Sequence, residues 1–279
     1  MRGPVRHRNL GVSCCFCPRV VVLGPAYDLG VVMFADLVLE GGGVKGIALV
    51  GVISVLEERG YEFRRVAGTS AGAVVGSLVA AGARAAELEE IMRAVDYRRF
   101  QDGPRWTGLL VGKAAALMFQ QGIYEGQFVK DWLGERLARL GVHTFADLRY
   151  DDPERPPDPE HGYRPVVTTC DISQGRLRRL PWEYRDYGLP GAGQLVVDAV
   201  RASTSIPFFY KPARLTGAGG RDCWLVDGAM LSRFPIDVFD APPAWRRAGR
   251  RSASSWARPR EPCTRCTTRS ACPRRCSRP

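Results

Sequence analysis

Gly68-Thr69-Ser70-Ala71-Gly72 is a G-x-S-x-G stretch set between a strand-like run, Phe63-Arg64-Arg65-Val66-Ala67, and an alanine-rich, helix-compatible segment, Ala73-Val74-Val75-Gly76-Ser77-Leu78-Val79-Ala80. Strand, sharp turn and helix in that order are what a nucleophile elbow requires. The serine sits in a strained bend, and Gly68 and Gly72 keep side chains out of it. A helix starting there aims N–H groups and a partial positive charge at the serine, which favours an alkoxide. Glycine makes up 31 of the 279 residues, so the pentapeptide alone is weak. Its setting makes Ser70 a candidate nucleophile.

One supersecondary unit upstream, Ala35-Asp36-Leu37-Val38-Leu39-Glu40 reads as a strand and runs into Gly41-Gly42-Gly43-Val44-Lys45-Gly46. The apolar run Ile47 to Leu56 follows as a helix, with Gly60 as its C-terminal cap. Apolar residues surround that helix on nearly every side, so it is expected to be buried. Three glycines at a helix N-terminus leave backbone N–H groups unshielded, a site for a phosphate or for the oxyanion of an acyl transfer. Gly41-x-Gly43-x-x-Gly46 also matches the dinucleotide fingerprint, which wants a carboxylate at the end of the next strand. That end is Val66-Ala67-Gly68, preceded by Arg64 and Arg65, which would suit only a 2′-phosphate. A Walker A loop fails because Gly46 follows Lys45.

The third element is Trp224-Leu225-Val226-Asp227-Gly228-Ala229, a short apolar run that ends on a carboxylate. Asp-Gly alone is ordinary turn chemistry. Its weight comes from the histidines, of which there are three: His7, His143 and His161. None lies beside a motif that would orient it. A Ser-His-Asp triad stays open, but Ser70 with Asp227 as its base is the simpler constellation.

Taken together, Gly-Gly-Gly-Val-Lys-Gly, Gly-Thr-Ser-Ala-Gly and Asp-Gly-Ala resemble the motifs of the patatin-like phospholipase family, over residues 34 to 240. The segment Val200 to Phe209 resembles the stretch that precedes the aspartate in that family. The resemblance implies a three-layer α/β fold with a central, mostly parallel sheet flanked by helices. It implies hydrolysis of lipid acyl esters through an acyl-enzyme, with no metal or organic cofactor. It makes Ser70 the nucleophile, Asp227 the base and Gly41, Gly42 and Gly43 the oxyanion loop, with Gly46, Gly68, Gly72, Gly228 and Ala229 in supporting positions. Lys45 falls where the family carries Arg or Lys. It orients the loop, meets anionic lipid or is simply solvated. A catalytically inactive relative that binds lipid or a partner is the alternative function. A nucleotide-binding protein using Gly41 to Gly46 is the third.

Composition bounds the rest. The formal charge of +11 suggests nucleic acid or membrane, but residues 241–279 hold eleven arginines against one acid, Glu261. The remaining 240 residues therefore carry only +1. No specific nucleic-acid partner is expected; a lipid or phospholipid substrate is. The tail from Ala241 is a low-complexity mixture of Arg, Pro, Ser, Ala and Cys that cannot form a core, read as an off-frame translation of a GC-rich gene. Cys263-x-x-Cys266 and Cys272-x-x-x-Cys276 offer zinc as its functional rival, at a spacing far shorter than usual. Residues 1–32 read as a doubtful or disordered extension, with Met33 as a candidate start and no convincing signal peptide. The hydrolase domain is thus expected over 33–240, truncated at its C-terminal side. A cytoplasmic protein with peripheral membrane contact is the expected setting, because no apolar run reaches the length of a membrane span.

Between the elbow and Asp227, Arg84 to Val95 and Glu125 to Leu140 read as amphipathic surface helices. Trp106 to Phe119 reads as a core helix or a lipid-contacting lid. Arg164 to Ile172 and Arg176 to Leu180 read as a hairpin about Ser173-Gln174-Gly175.

Overall fold

Leu37, Val38 and Leu39 of strand β2 (Met33–Leu39) are buried on both faces. That is the condition of a strand inside a parallel sheet covered on both sides. The computed structural model describes residues 20–23, 33–43, 46–102, 122–151 and 158–240. From β2 the chain passes the glycine loop into helix α1 (Gly46–Glu58). Gly60, with a φ of +80°, then turns it back into β3 (Tyr61–Thr69), parallel to β2. Helices α2 (Ala71–Ala80) and α3 (Ala85–Arg93), strand β4 (Gly122–Tyr124) and helix α4 (Gln127–Arg139) follow. After them come β5 (Pro165–Asp171), β6 (Arg176–Leu180), α5 (Val196–Ser203), β7 (Phe208–Tyr210), β8 (Ala213–Thr216) and β9 (Asp222–Asp227).

The main sheet runs β1-β2-β3-β5-β9-β8, where β1 is Val20–Leu23, with β6 also on β5. Its centre, β2-β3-β5, is parallel, and the other pairings are antiparallel. The expected mixed α/β fold with flanking helices is present, its parallel character concentrated in the centre. The expected hairpin is β5–β6, closing from Asp171 opposite Arg176. The two amphipathic helices are α3, which buries Leu88 and Met92, and α4, which buries Val129, Trp132, Leu133 and Leu137.

Two expectations are corrected. Strand β1 (Val20–Leu23) lies within the stretch read as a disordered extension, yet it pairs with β2 from Val20 opposite Leu39 to Leu23 opposite Asp36. Four consecutive apolar residues, three of them β-branched, suffice to add an edge strand. Helix α1 is not buried all round: Leu49, Val50, Ile53 and Leu56 face the core, while Ile47 and Val55 stand about half exposed. Uniform apolarity hid a one-sided helix. The segment Trp106 to Phe119 and the tail from Ala241 lie outside the described residues. Contacts within the chain divide it after Val238, and of the second unit only Phe239 and Asp240 are described. Among the described residues no helix is long and apolar enough to cross a membrane.

Candidate active site

Strand β5 brings the two motifs together. Its residues 167–171 pair with β6 along one edge, so its other partners must share the opposite edge. There Thr69 at the end of β3 pairs with Thr168, and Asp227 at the end of β9 pairs with Thr169. Strand β3 runs parallel to β5 and β9 antiparallel to it, so the two meet end to end at adjacent residues. The residue after Thr69 is Ser70. A separation of 157 positions in sequence is closed by one register.

At that junction Ser70 has φ 54° and ψ −121°, a conformation that costs a non-glycine residue about 1–3 kcal/mol. Surrounding contacts hold it there. The Ser70 N–H donates to Ser203 Oγ at 2.9 Å, and Ser203 Oγ–H donates to the Thr168 carbonyl at 2.7 Å. The Ser70 carbonyl accepts from the Ala73 and Val74 N–H groups as α2 begins. Thr69 Oγ1 bonds Thr168 Oγ1 and donates to the Ser232 carbonyl at 3.1 Å. The α2 N-terminus points its dipole at the serine.

The glycines flanking Ser70 are needed for close approach. A Cβ on Gly72 would lie 2.5 Å from the Leu39 carbonyl oxygen, and one on Gly68 would run into the Gly72 backbone. Gly72 thereby lets α2 rest on the strand that delivers the glycine loop. Gly72→Ala is expected to cost about 1–3 kcal/mol of stability, as overpacking does. Denaturant unfolding checks this, and an unchanged midpoint would mean that the approach is not tight.

Asp227 is buried. Burial raises its carboxyl above the ordinary carboxylate range, opposed by the Ala229 N–H at 2.8 Å and by the neighbouring Ser70 hydroxyl. The net shift is upward, so Asp227 is a stronger base than a solvated aspartate. Behind it the Cys170 thiol, pushed up to about 11 by burial, donates weakly to the Gly228 carbonyl at 3.5 Å. It stays neutral and adds no charge to the site.

The glycine loop lies beside the elbow: a Cβ on Gly41 would meet Ser70 Cβ at 3.3 Å. The loop does not offer three donors. The Gly41 N–H is committed to the Arg233 carbonyl at 2.9 Å. This leaves Gly42 and Gly43, whose N–H groups have no backbone acceptor among the described residues. Gly46 is buried against α2 and Lys45 lies outside the described residues. Arg65 pairs through both nitrogens with Asp36, and the Arg64 guanidinium stacks 4.4 Å over Phe34. Both are engaged in the middle of β3, short of the strand end where a dinucleotide would need them.

The histidines do not enter the site. His143 donates its N–H to Asp147, and the His161 ring bonds Asp158 and packs edge-on against Trp182. Among the described residues neither bonds Ser70 or Asp227. His7 lies outside the described residues. No group of three or more His, Cys, Asp or Glu is placed to hold a metal among the described residues.

Sequence reading missed Ser203, Thr168, Ser232 and Arg233. Ser203 falls in the Val200 to Phe209 segment, which signalled an important stretch without saying which atom mattered. The others carry no local signal. They act through partners 35 to 192 residues away.

The uncharacterized protein YqhO of Bacillus subtilis is 35% identical over 208 residues, covering 74% of this chain and 67% of that protein. The cUMP-AMP-activated phospholipase of Escherichia coli is 25% identical over 224 residues, 76% of this chain and 60% of that protein. The triacylglycerol lipase ptl3 of Schizosaccharomyces pombe is 32% identical over 211 residues, 74% of this chain and 38% of that protein. The profile of the patatin-like phospholipase family matches residues 37–240, from the strand before the glycine loop to the end of the described chain, and the protein belongs to that family.

Proposed function

We propose that this protein hydrolyses lipid carboxylic esters through a Ser70–Asp227 dyad and an acyl-enzyme, within a domain formed by residues 33–240 and the β1 strand. The observation that carries the reading is a strained serine at the end of β3, set by the register of β5 beside a buried carboxylate at the end of β9 whose basicity is raised. Asp227 takes the Ser70 proton as Oγ attacks the acyl carbonyl. The Gly42 and Gly43 N–H groups hold the oxyanion, for which a single donor is worth about 3–4 kcal/mol. Collapse expels the alcohol, which takes the proton from Asp227. Asp227 then activates water against the acyl-enzyme, and the fatty acid leaves. Turnover of a short-chain nitrophenyl ester by wild type and Ser70→Ala tests the assignment. A purely lipid-binding role would leave the strain at Ser70 without a use.

Phospholipase and triacylglycerol lipase relatives make a lipid the proposed substrate. The surface beside the dyad is suited to one. Asp227 N–H donates to the Ser205 carbonyl, and the turn beyond Ser205 presents Phe208, which is 74% exposed and has a φ of 67°. Such a φ is a strong outlier for an aromatic residue. Arg201 pins the turn through Ser205 Oγ and the Lys211 carbonyl, so Phe208 is held outward. On the other side of Asp227, Met230 and Leu231 are 61% and 62% exposed. We propose that these three side chains meet the lipid surface. Changing all three to Ser is expected to lower turnover on phospholipid vesicles relative to the soluble ester by about tenfold or more, given about 1.5–3 kcal/mol per apolar side chain buried. Equal losses on both substrates would refute the surface contact.

A further inference from the structure

We infer that Arg233 is a positioning residue that locks the glycine loop in register with Ser70 and Asp227. This rests on the ester-hydrolase reading of the site. One residue holds the Gly41 peptide from two directions. The Arg233 carbonyl accepts the Gly41 N–H at 2.9 Å, and Arg233 Nε donates to the Gly41 carbonyl at 2.9 Å. The same Nε lies 3.2 Å from Glu40 Oε1. Glu40 is nearly buried, with 10% of its side chain exposed against 55% for Arg233, so the arginine reaches inward from the surface to the base of the loop.

The position of Arg233 in the chain gives these contacts their meaning. It lies six residues after Asp227. Between them the backbone forms a tight turn, with the Leu231 and Ser232 N–H groups on the Gly228 carbonyl. The Ser232 carbonyl accepts Thr69 Oγ1, next to Ser70. One short segment therefore carries the base, bonds the residue before the nucleophile and grips the first glycine of the loop. Three parts from distant stretches of sequence take their relative placement from it.

The clamp also decides which donors face the substrate. Engaging the N–H and the carbonyl of Gly41 removes that N–H from the site and restrains the peptide planes on both sides of Gly41, from which Gly42 and Gly43 extend. Gly43 has a φ of +56° and open space around its Cα, so the loop has little stiffness of its own. Oxyanion donors act only when held where charge develops, and a misplacement of about 1 Å can cost about 10²-fold in rate. An ordinary surface ion pair would contribute little. This one closes a loop against the active site.

The test compares wild type, Arg233→Ala and Arg233→Lys in the full chain, by hydrogen–deuterium exchange and by steady-state turnover of a short-chain nitrophenyl ester. In Arg233→Ala the peptide containing Gly41 to Gly43 is expected to exchange about tenfold faster, with the β2 and α2 peptides unchanged. Its kcat should fall about 10- to 100-fold with KM within about threefold, because the interaction matters in the transition state. Lysine can make one of the two side-chain contacts and should restore part of the lost kcat. Unchanged exchange in the glycine loop overturns the inference, as does an unchanged kcat. Parallel loosening of β2 and α2 without rescue by lysine would also overturn it, since that is general destabilisation. If wild type shows no Ser70-dependent turnover, the hydrolase reading fails, and the exchange comparison still decides the clamp.

Discussion

Ser70→Ala is expected to abolish both fluorophosphonate labelling and ester hydrolysis while leaving the fold intact. In serine hydrolases loss of the nucleophile costs about 10⁶-fold in kcat, and a residue of activity from the oxyanion site and substrate binding persists. The substitution removes one oxygen atom. The Ser70 backbone keeps its N–H bond to Ser203 Oγ and its carbonyl keeps the Ala73 and Val74 N–H groups, so the elbow has its supports without the hydroxyl. In wild type the label should map to the peptide containing Ser70. Labelling at another serine, or hydrolysis by the alanine variant within tenfold of wild type, would remove Ser70 from the mechanism.

The Asp227→Asn variant should lose about 10⁴-fold in kcat, the scale seen when the acidic member of a serine triad is made neutral. Asparagine still offers an oxygen to the Ala229 N–H but cannot accept the serine proton. The pH profile supplies an independent check. The proposed dyad needs Asp227 ionised, so activity is expected to fall as pH drops through its pKa. Burial raises that pKa, which places the acid limb above the ordinary value of 3.8. Stability runs the other way. A carboxyl whose folded pKa is raised binds its proton more tightly in the folded state than in the unfolded one. Its ionisation therefore disfavours the fold above that pKa, and the penalty is relieved as pH falls. Asp227→Asn should accordingly melt no lower than wild type at neutral pH. Replacing His143 and His161 together should change kcat by no more than about threefold, since both lie in contacts apart from the dyad. An acid limb at or below 3.8, or a collapse of activity in the histidine double variant, would replace the dyad with another base.

Much of this site was legible because its chemistry is written locally. A nucleophile elbow needs a strand, a Gly-flanked serine and a helix within about twenty residues, and Phe63 to Ala80 supplies them in order. The glycine loop follows β2 directly, and Asp227 ends an apolar run as a strand-terminal carboxylate should. Hairpin β5–β6 and helices α3 and α4 were equally visible, because turn residues and helical periodicity are properties of neighbours in sequence.

What no local pattern carries is the pairing that makes these pieces one site. β5 reads as a strand wherever it is placed, and only the sheet shows β3 and β9 meeting end to end at Thr168 and Thr169. The tertiary structure also took the Gly41 N–H from the free donors of the glycine loop and gave it to Arg233, 192 residues away, and it turned Ile47 and Val55 of an all-apolar helix outward. The strand at Val20–Leu23 was overlooked for a related reason, since four residues have too little period to stand out until a neighbouring edge is there to receive them. Residue type and spacing over a few turns determined which chemistry is proposed for this chain. Which donors remain free to perform it depends on hydrogen bonds between distant segments, and those exist only once the chain has folded.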